Sequence, residues 1–422
     1  MLITPITHRL DCAVTPPGSK SITNRAFVTA ALAQGTSTLT GVLASDDTQY
    51  MREALKLMGV EIEHDLEACT ATVHGCGGFF PAASADLFLG NSGTSIRFLT
   101  GAAIHSDGSF VLDGVERMRQ RPIGDLVDAL RQWGVQIEYL QNETFPPIRV
   151  HGSKRGGKTT VAGNISSQYL SALLMAGAGL ENDAEIEVVG DLVSRPYVDM
   201  TAAVMKAFGV TVEQPSESRF VIPAGQKYRS TTYAIEPDAS AASYFFAAAA
   251  IVGGRICVNG LTHSALQGDI RFVDCLEKMG CKVWEEDNAT FVQNDGQLHG
   301  VTVDMHHISD TAQTLAVTAL FADSPTTITN VANMRVKETD RIAAVCTELR
   351  KFGAQVEEYP DGLKVYPLPV NQYKSAVIET YNDHRMAMSF ALAGLRIPGV
   401  DIQNPECTSK TFPKFFDVLA TL

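Results

Sequence analysis

Nine consecutive residues, Asn333-Met334-Arg335-Val336-Lys337-Glu338-Thr339-Asp340-Arg341, set Glu338 among three cations. Lys337 and Arg341 are four apart and share a face if the segment is helical. Glu338 among them suits a carboxylate engaged in proton transfer, although a surface ion-pair network has the same composition. Asp310 opens an apolar helix and stands apart from these cations in the sequence. Helix capping and general-base catalysis are both open to it. In Pro17-Gly18-Ser19-Lys20-Ser21-Ile22-Thr23-Asn24-Arg25, Lys20 falls at a helix start and Arg25 about a turn later. Ser19 stands where a nucleotide phosphate loop needs Gly before Lys, so that reading fits poorly. The small-residue turn Leu89-Gly90-Asn91-Ser92-Gly93-Thr94 offers free N–H groups to an anion, with Arg97 close behind. Arg121, Arg195 and Arg341 stand 13, 14 and 12 residues before Gly134, Gly209 and Gly353, which end their helices. A cation at a helix start opposes the dipole by a few tenths of a kcal/mol. Three such placements predict an anionic ligand that offsets the repulsion. Asn382-Asp383-His384-Arg385 and Lys410 complete the polar set.

The whole chain is acidic, with a net charge of −13 over 422 residues. That disfavours nucleic acid and anionic membranes as partners. Cations concentrated at a few turns of an acidic protein suit a small anionic ligand instead. The eight cysteines show no CxxC pair and no zinc-ligand spacing with His. Cys275, Cys281 and Cys346 lie in or beside amphipathic helices and read as reduced, buried thiols. No Ser-His-Asp arrangement emerges. The opening MLITPITHRLD lacks the blocks of a signal peptide, and no apolar run reaches membrane-spanning length. A cytoplasmic protein is expected.

The elements that position these residues recur. A unit of about 72 residues appears six times, each copy opening with a polar cluster that starts an apolar helix. Aligned on Ser21, Thr94, Gln168, Ser240, Thr311 and His384, the openings follow one another by 71 to 74 residues. Each apolar helix has no polar face and reads as buried. A short strand and an amphipathic helix follow, the latter ending at Gly59, Gly134, Gly209, Gly280 or Gly353, a series with spacings of 75, 75, 71 and 73. Met51, Ala54, Leu55 and Met58 show its stripe, as do Ile342, Val345, Cys346 and Leu349. Strands fill the remainder, giving roughly β-α-β-β-α-β per unit. The expected fold class is α/β (α+β), in two lobes of three units each with a cleft between them. Residues 20–237 form one lobe, and 1–19 with 238–422 form the other. The N-terminal segment 3–15 is expected to complete the sheet of the sixth unit. Six helix starts make natural anion sites.

PGSKSITNR, LGNSGTSIRFLTG, ERMRQRPIGDLVDALR, the SSQ at 166–168, RVKETDR, YNDHRMAM and TFPKFF resemble the 5-enolpyruvylshikimate-3-phosphate synthase family, in order and over the whole chain. The family's two lobes of three β-α-β-β-α-β units, with an active site in the inter-lobe cleft, agree with the repeat count. The resemblance implies transfer of the carboxyvinyl group of phosphoenolpyruvate to the 5-hydroxyl of shikimate 3-phosphate, with release of phosphate. It implies that Lys20, Gly93, Arg121, Gln168, Arg341, Arg385 and Lys410 bind phosphoenolpyruvate. Lys20, Ser21, Arg25, Ser166, Ser167, Gln168, Ser194, Asn333 and Lys337 would hold shikimate 3-phosphate, with Tyr197 lining its site and Asp310 touching it. Asp310 would accept the hydroxyl proton, and Glu338, helped by Lys20, would move a proton to and from the methylene carbon. Two phosphates and two carboxylates carry about six negative charges, which explains the demand for cations. Such an addition and elimination needs no cofactor and no metal. Closure of the lobes on the first ligand would exclude water, and a monomer is expected.

The sister family, which acts on a UDP-sugar, carries a reactive Cys five residues before its Arg-Pro pair. Here Glu116 holds that place and no Cys lies between Cys76 and Cys257, which argues against UDP-N-acetylglucosamine enolpyruvyl transfer. A non-catalytic repeat protein that binds anions is the other alternative. Phe98 departs from the Pro expected after Arg97 and leaves the helix geometry near Gly93 open. Gly93 itself implies sensitivity to glyphosate.

Overall fold

The computed structural model describes residues 1–422. It divides into two compact units, Gly18–Glu236 on one hand and Met1–Pro17 with Pro237–Leu422 on the other. The fold is mixed α/β, and its six sheets correspond to the six sequence repeats.

In the 18–236 unit, the first sheet runs in the order Thr232–Ala234, Gln34–Thr40, Thr70–Cys76, Glu61–Asp65. The second runs Ser84–Phe88, Ser109–Asp113, Ile148–His151, Ile137–Tyr139. The third has three strands, Arg219–Ile222, Ala184–Val189 and Gly157–Ala162. Each sheet contains one parallel pair, and the rest of the pairing is antiparallel. The helices Lys20–Leu32, Gly93–Ala102 and Ser167–Gly177 bury every residue except Lys20 and Gln168. They are the all-round apolar helices of the sequence, and the middle one packs against both others or their neighbours. The helix Asp46–Leu57 instead buries only a stripe that includes Met51, Ala54 and Leu55. All five repeat-marking glycines that end the amphipathic helices have φ between 81° and 105°, so each serves as a left-handed cap.

The other unit repeats the plan. One sheet runs Leu10–Val14, Gly254–Asn259, Ala289–Asn294, Lys282–Glu286, and another runs Thr302–Asp304, Thr326–Thr329, Gly362–Tyr366, Gln355–Tyr359. The sixth repeat has a two-stranded sheet, Ala376–Ile378 with Val400–Ile402. Its three buried helices, Ala239–Val252, Ala312–Thr318 and His384–Gly394, pack on one another. Buried hydroxyls join them: Ser243 Oγ lies 3.3 Å from Thr314 Oγ1, which lies 3.4 Å from Ser389 Oγ.

The N-terminal segment departs from expectation. Only its first residues join the sixth repeat, where Ile3 N donates to Val400 O at 2.9 Å and Ile402 N to Met1 O at 2.8 Å. The strand Leu10–Val14 pairs in parallel with Gly254–Asn259 of the fourth repeat. The strand Thr232–Ala234, which precedes the fourth repeat, pairs with Gln34–Thr40 of the first. A strand leading into either unit would be followed by a buried helix of the other, so the two strands exchange sheets where the chain crosses. No helix is long and apolar enough to cross a membrane.

Candidate active site

In the 18–236 unit the polar residues collect at the starts of the buried helices. Ser19 caps the helix Lys20–Leu32, accepting from Ile22 N at 3.4 Å. Lys20 Nζ lies 3.5 Å from the buried Asp47 carboxylate. The sequence reading missed Asp47, which opens the next helix along in an ordinary acidic first turn. Arg25 is fully buried. Its Nε donates to Thr201 Oγ1 at 2.7 Å, and its Nη atoms reach Ser21 O, Ser171 Oγ and Tyr197 O. Its guanidinium lies 4.8 Å from the Phe98 ring centroid and 6.0 Å from that of Tyr197. Burial pulls Arg25 down to about 10, opposed by Tyr197 and Tyr233. No carboxylate is among these partners, so an incoming anion would relieve a desolvated cation. Phe98 therefore has a place: the helix Gly93–Ala102 runs through it unbroken, and it forms one wall of the Arg25 site.

Gly93 is the first residue of that helix, and Ser92 caps it. Arg121 lies across the same start, donating from Nη1 to Asn91 O at 3.0 Å and Asn91 Oδ1 at 3.2 Å. A Cβ on Gly93 would meet Arg121 Nη2 at 2.4 Å, so glycine is what lets the guanidinium lie there. Gln168 Nε2 reaches Thr94 Oγ1 at 3.5 Å and brings the third helix start to the second. Ser166 caps that third helix with Ser167 as its first residue. Ser194, at φ 52°, precedes the helix Arg195–Ala207, which carries Tyr197 in its first turn.

The other unit holds both candidate proton-transfer carboxylates, linked through Arg341. Arg341 is 1% exposed. Its Nε donates to Asp383 Oδ2 at 2.7 Å, Nη1 to Asp310 Oδ1 at 3.3 Å and Nη2 to Glu338 Oε2 at 2.8 Å. Burial alone would lower this guanidinium, but Asp383, Glu338 and Asp310 outweigh it and hold it above its ordinary value. Asp310 also meets Arg385 Nη2 at 2.8 Å and Lys337 Nζ at 3.6 Å. Glu338 has Lys410 Nζ at 3.7 Å. Asn333 Nδ2 donates to Ser309 Oγ at 3.1 Å. Asp383 caps the helix His384–Gly394 through Arg385 N and at the same time grips Arg341. The sequence placed Asp383 only as part of a helix opening.

Several expectations change. Asp310 does not stand apart from the cations, because three of them surround it. It lies in a 3-10 turn, Ser309–Thr311, and the cap position of the helix Ala312–Thr318 is Thr311. Among the three arginines read as helix starters, Arg121 is extended and its helix begins at Gly124. Arg195 does open a helix, but Asp199, 2.9 Å away, and the Phe220 ring offset its charge. Arg335, read as a neighbour of Glu338, pairs with Asp340 and Glu358. The fourth opening is closed internally: Gln267 Nε2 donates to Asp238 at 3.2 Å and to Ser240 Oγ at 2.7 Å. Away from these residues, Glu61, Glu63 and His74 bring possible ligand atoms within 4.8 Å of one another, largely exposed.

The family model for EPSP synthase (3-phosphoshikimate 1-carboxyvinyltransferase) matches residues 5–419. The 3-phosphoshikimate 1-carboxyvinyltransferase of Trichormus variabilis is 49% identical over 415 residues, covering 98% of this chain and 97% of that protein. The protein of the same name from Yersinia pseudotuberculosis is 51% identical over 410 residues, covering 96% and 95%. The solved EPSP synthase of Acinetobacter baumannii superimposes with a TM-score of 0.82 at 27% identity, covering 100% of this chain and 97% of that one.

Proposed function

Since the chain belongs to the EPSP synthase (3-phosphoshikimate 1-carboxyvinyltransferase) family, we propose that it transfers the carboxyvinyl group of phosphoenolpyruvate to the 5-hydroxyl of shikimate 3-phosphate. The products are 5-enolpyruvylshikimate 3-phosphate and phosphate. The observation that carries the residue assignment is the pair of carboxylates, Asp310 and Glu338, held on one buried arginine with further cations against each.

The chemistry follows from those contacts. The 5-hydroxyl oxygen adds to C2 of phosphoenolpyruvate while C3 gains a proton. The C2–O bond to phosphate then breaks and C3 loses a proton. Asp310 takes the hydroxyl proton, and Glu338, with Lys20, gives and removes the C3 proton. In the free protein Asp310 neutralises Arg341, Arg385 and Lys337. Substrate anions that engage those cations leave Asp310 free to accept a proton. Arg121, Arg341, Arg385 and Lys410, with Lys20, Gln168 and Gly93, bind phosphoenolpyruvate in this reading. Shikimate 3-phosphate takes Ser21, Arg25, Ser166, Ser167, Ser194, Asn333 and Lys337, with Tyr197 beside it. The reading carries with it a cytoplasmic monomer that uses no cofactor or metal.

The test is phosphate release from phosphoenolpyruvate and shikimate 3-phosphate, with UDP-N-acetylglucosamine as a competing acceptor. Release with the first acceptor alone is expected. Folded protein that releases none refutes the reading.

A further inference from the structure

Glu348 is a fully buried carboxylate outside the residues given a role above. It lies on the helix Arg341–Lys351, seven residues after Arg341. Seven residues are about two turns, or roughly 10 Å, so the two side chains leave the same face of the helix. Glu348 Oε1 accepts from the Tyr381 hydroxyl at 2.9 Å, and Oε2 accepts from Glu379 N at 3.0 Å. Lys351 Nζ lies 2.6 Å from Oε2 and donates to Val377 O at 3.0 Å. The bonds to Glu379 N, the Tyr381 hydroxyl and Val377 O hold the chain segment just before Asp383.

That segment is strained. Asp383 N donates to Thr380 O at 2.8 Å, closing a turn whose two central residues, Tyr381 and Asn382, have φ of 54° and 53°. Neither is glycine, and a non-glycine residue in the left-handed region costs about 1 kcal/mol. Such a turn persists only where its surroundings fix it. The next residue is Asp383, which holds Arg341 by two bonds, Nε at 2.7 Å and Nη2 at 3.2 Å. One helix therefore grips the turn at two points, with Arg341 on its far side and Glu348 on its near side. A buried carboxylate is expensive to desolvate, so its three partners imply a structural task.

We propose that Glu348 and Tyr381 are positioning residues that lock the 380–383 turn and thereby set the orientation of Arg341 toward an anionic substrate. The identity of that substrate as phosphoenolpyruvate rests on the function proposed above.

Tyr381→Phe removes one hydroxyl and keeps the ring, and Glu348→Gln keeps the shape of the side chain. Both are expected to raise KM for phosphoenolpyruvate about 5- to 20-fold, with KM for shikimate 3-phosphate within about twofold, and the double variant should add little to either. Unchanged constants, or two KM values rising together, overturn the proposal. Amide hydrogen exchange supplies a readout independent of turnover. Residues 380–385 should exchange faster in both variants while the helix Ala239–Val252 keeps its rate, and unchanged exchange at 380–385 refutes the lock. Should Glu348→Gln fail to fold, Tyr381→Phe decides alone. Wild-type protein that shows no phosphate release would refute the proposed function, whereas the exchange experiment still tests the lock.

Discussion

Replacing Gly93 with alanine tests the phosphoenolpyruvate assignment with a single methyl group. The added Cβ would lie 2.4 Å from Arg121 Nη2, 2.8 Å from Cζ and 2.9 Å from Nη1. Ordinary contact between such atoms is about 3.5 Å, so the guanidinium must retreat by roughly 1 Å. Its bonds to Asn91, at 3.0 and 3.2 Å, then stretch beyond hydrogen-bond range. The backbone pays little, because Gly93 sits in ordinary helical conformation and the obstacle is the end of a flexible side chain. A displaced arginine loses charge-assisted bonds worth about 1.5–3 kcal/mol each, so one lost contact to the substrate predicts a rise of about 10- to 150-fold in KM for phosphoenolpyruvate. KM for shikimate 3-phosphate should stay within about twofold, since its proposed contacts lie elsewhere. Steady-state phosphate release with each substrate varied in turn makes the measurement. An unchanged KM for phosphoenolpyruvate, or equal changes for both substrates, would show that Arg121 does not bind it.

Asp310→Asn keeps the shape of the side chain but removes the proposed base, so kcat should fall about 100-fold or more with both KM values nearly intact. An unaltered kcat removes Asp310 from that role. Glyphosate, an analogue of phosphoenolpyruvate, should inhibit the wild type at low concentration and the Gly93→Ala variant far less; full wild-type activity in millimolar glyphosate contradicts this. His105 is buried with Nε2 2.8 Å from Ala176 O, and burial pulls it down to about 4. The unfolded chain therefore takes up this proton first, and stability should decline as pH falls from about 6.5 toward 4, by up to about 3 kcal/mol for this residue. Denaturant titrations of wild type and His105→Gln check the sign: the variant should lose part of that slope, and an identical slope excludes His105 as its source.

The six repeats were legible because three markers of different physical origin shared one period. Polar caps, buried apolar helices and left-handed glycine caps each leave local signatures, and the structure keeps them except at the fifth opening, where Thr311 makes no side-chain cap bond. The contacts of the candidate site were less legible because they join distant residues. Arg341 meets Asp383 across 42 positions, and Lys20 meets Asp47 across a strand. Yet Asp310 and Arg385 are 75 residues apart, close to one repeat, so equivalent helix starts of successive units stand side by side. That pairing follows from the period, which aims the helix starts at one place. The role of Phe98 is illegible for another reason. Its value lies in the ring it offers Arg25, a contact that neither helical propensity nor the absence of proline reveals.

The exchanged strands also set an order of events on the ribosome. The sheet edge at Gln34–Thr40 stays uncovered until Thr232–Ala234 has been made, nearly 200 residues later. Leu10–Val14 waits longer, for Gly254–Asn259. At 5–20 residues per second these gaps amount to roughly 10 to 50 s during which a bare strand edge is open to wrong partners. A nascent chain halted before residue 232 should therefore be the form most dependent on chaperones.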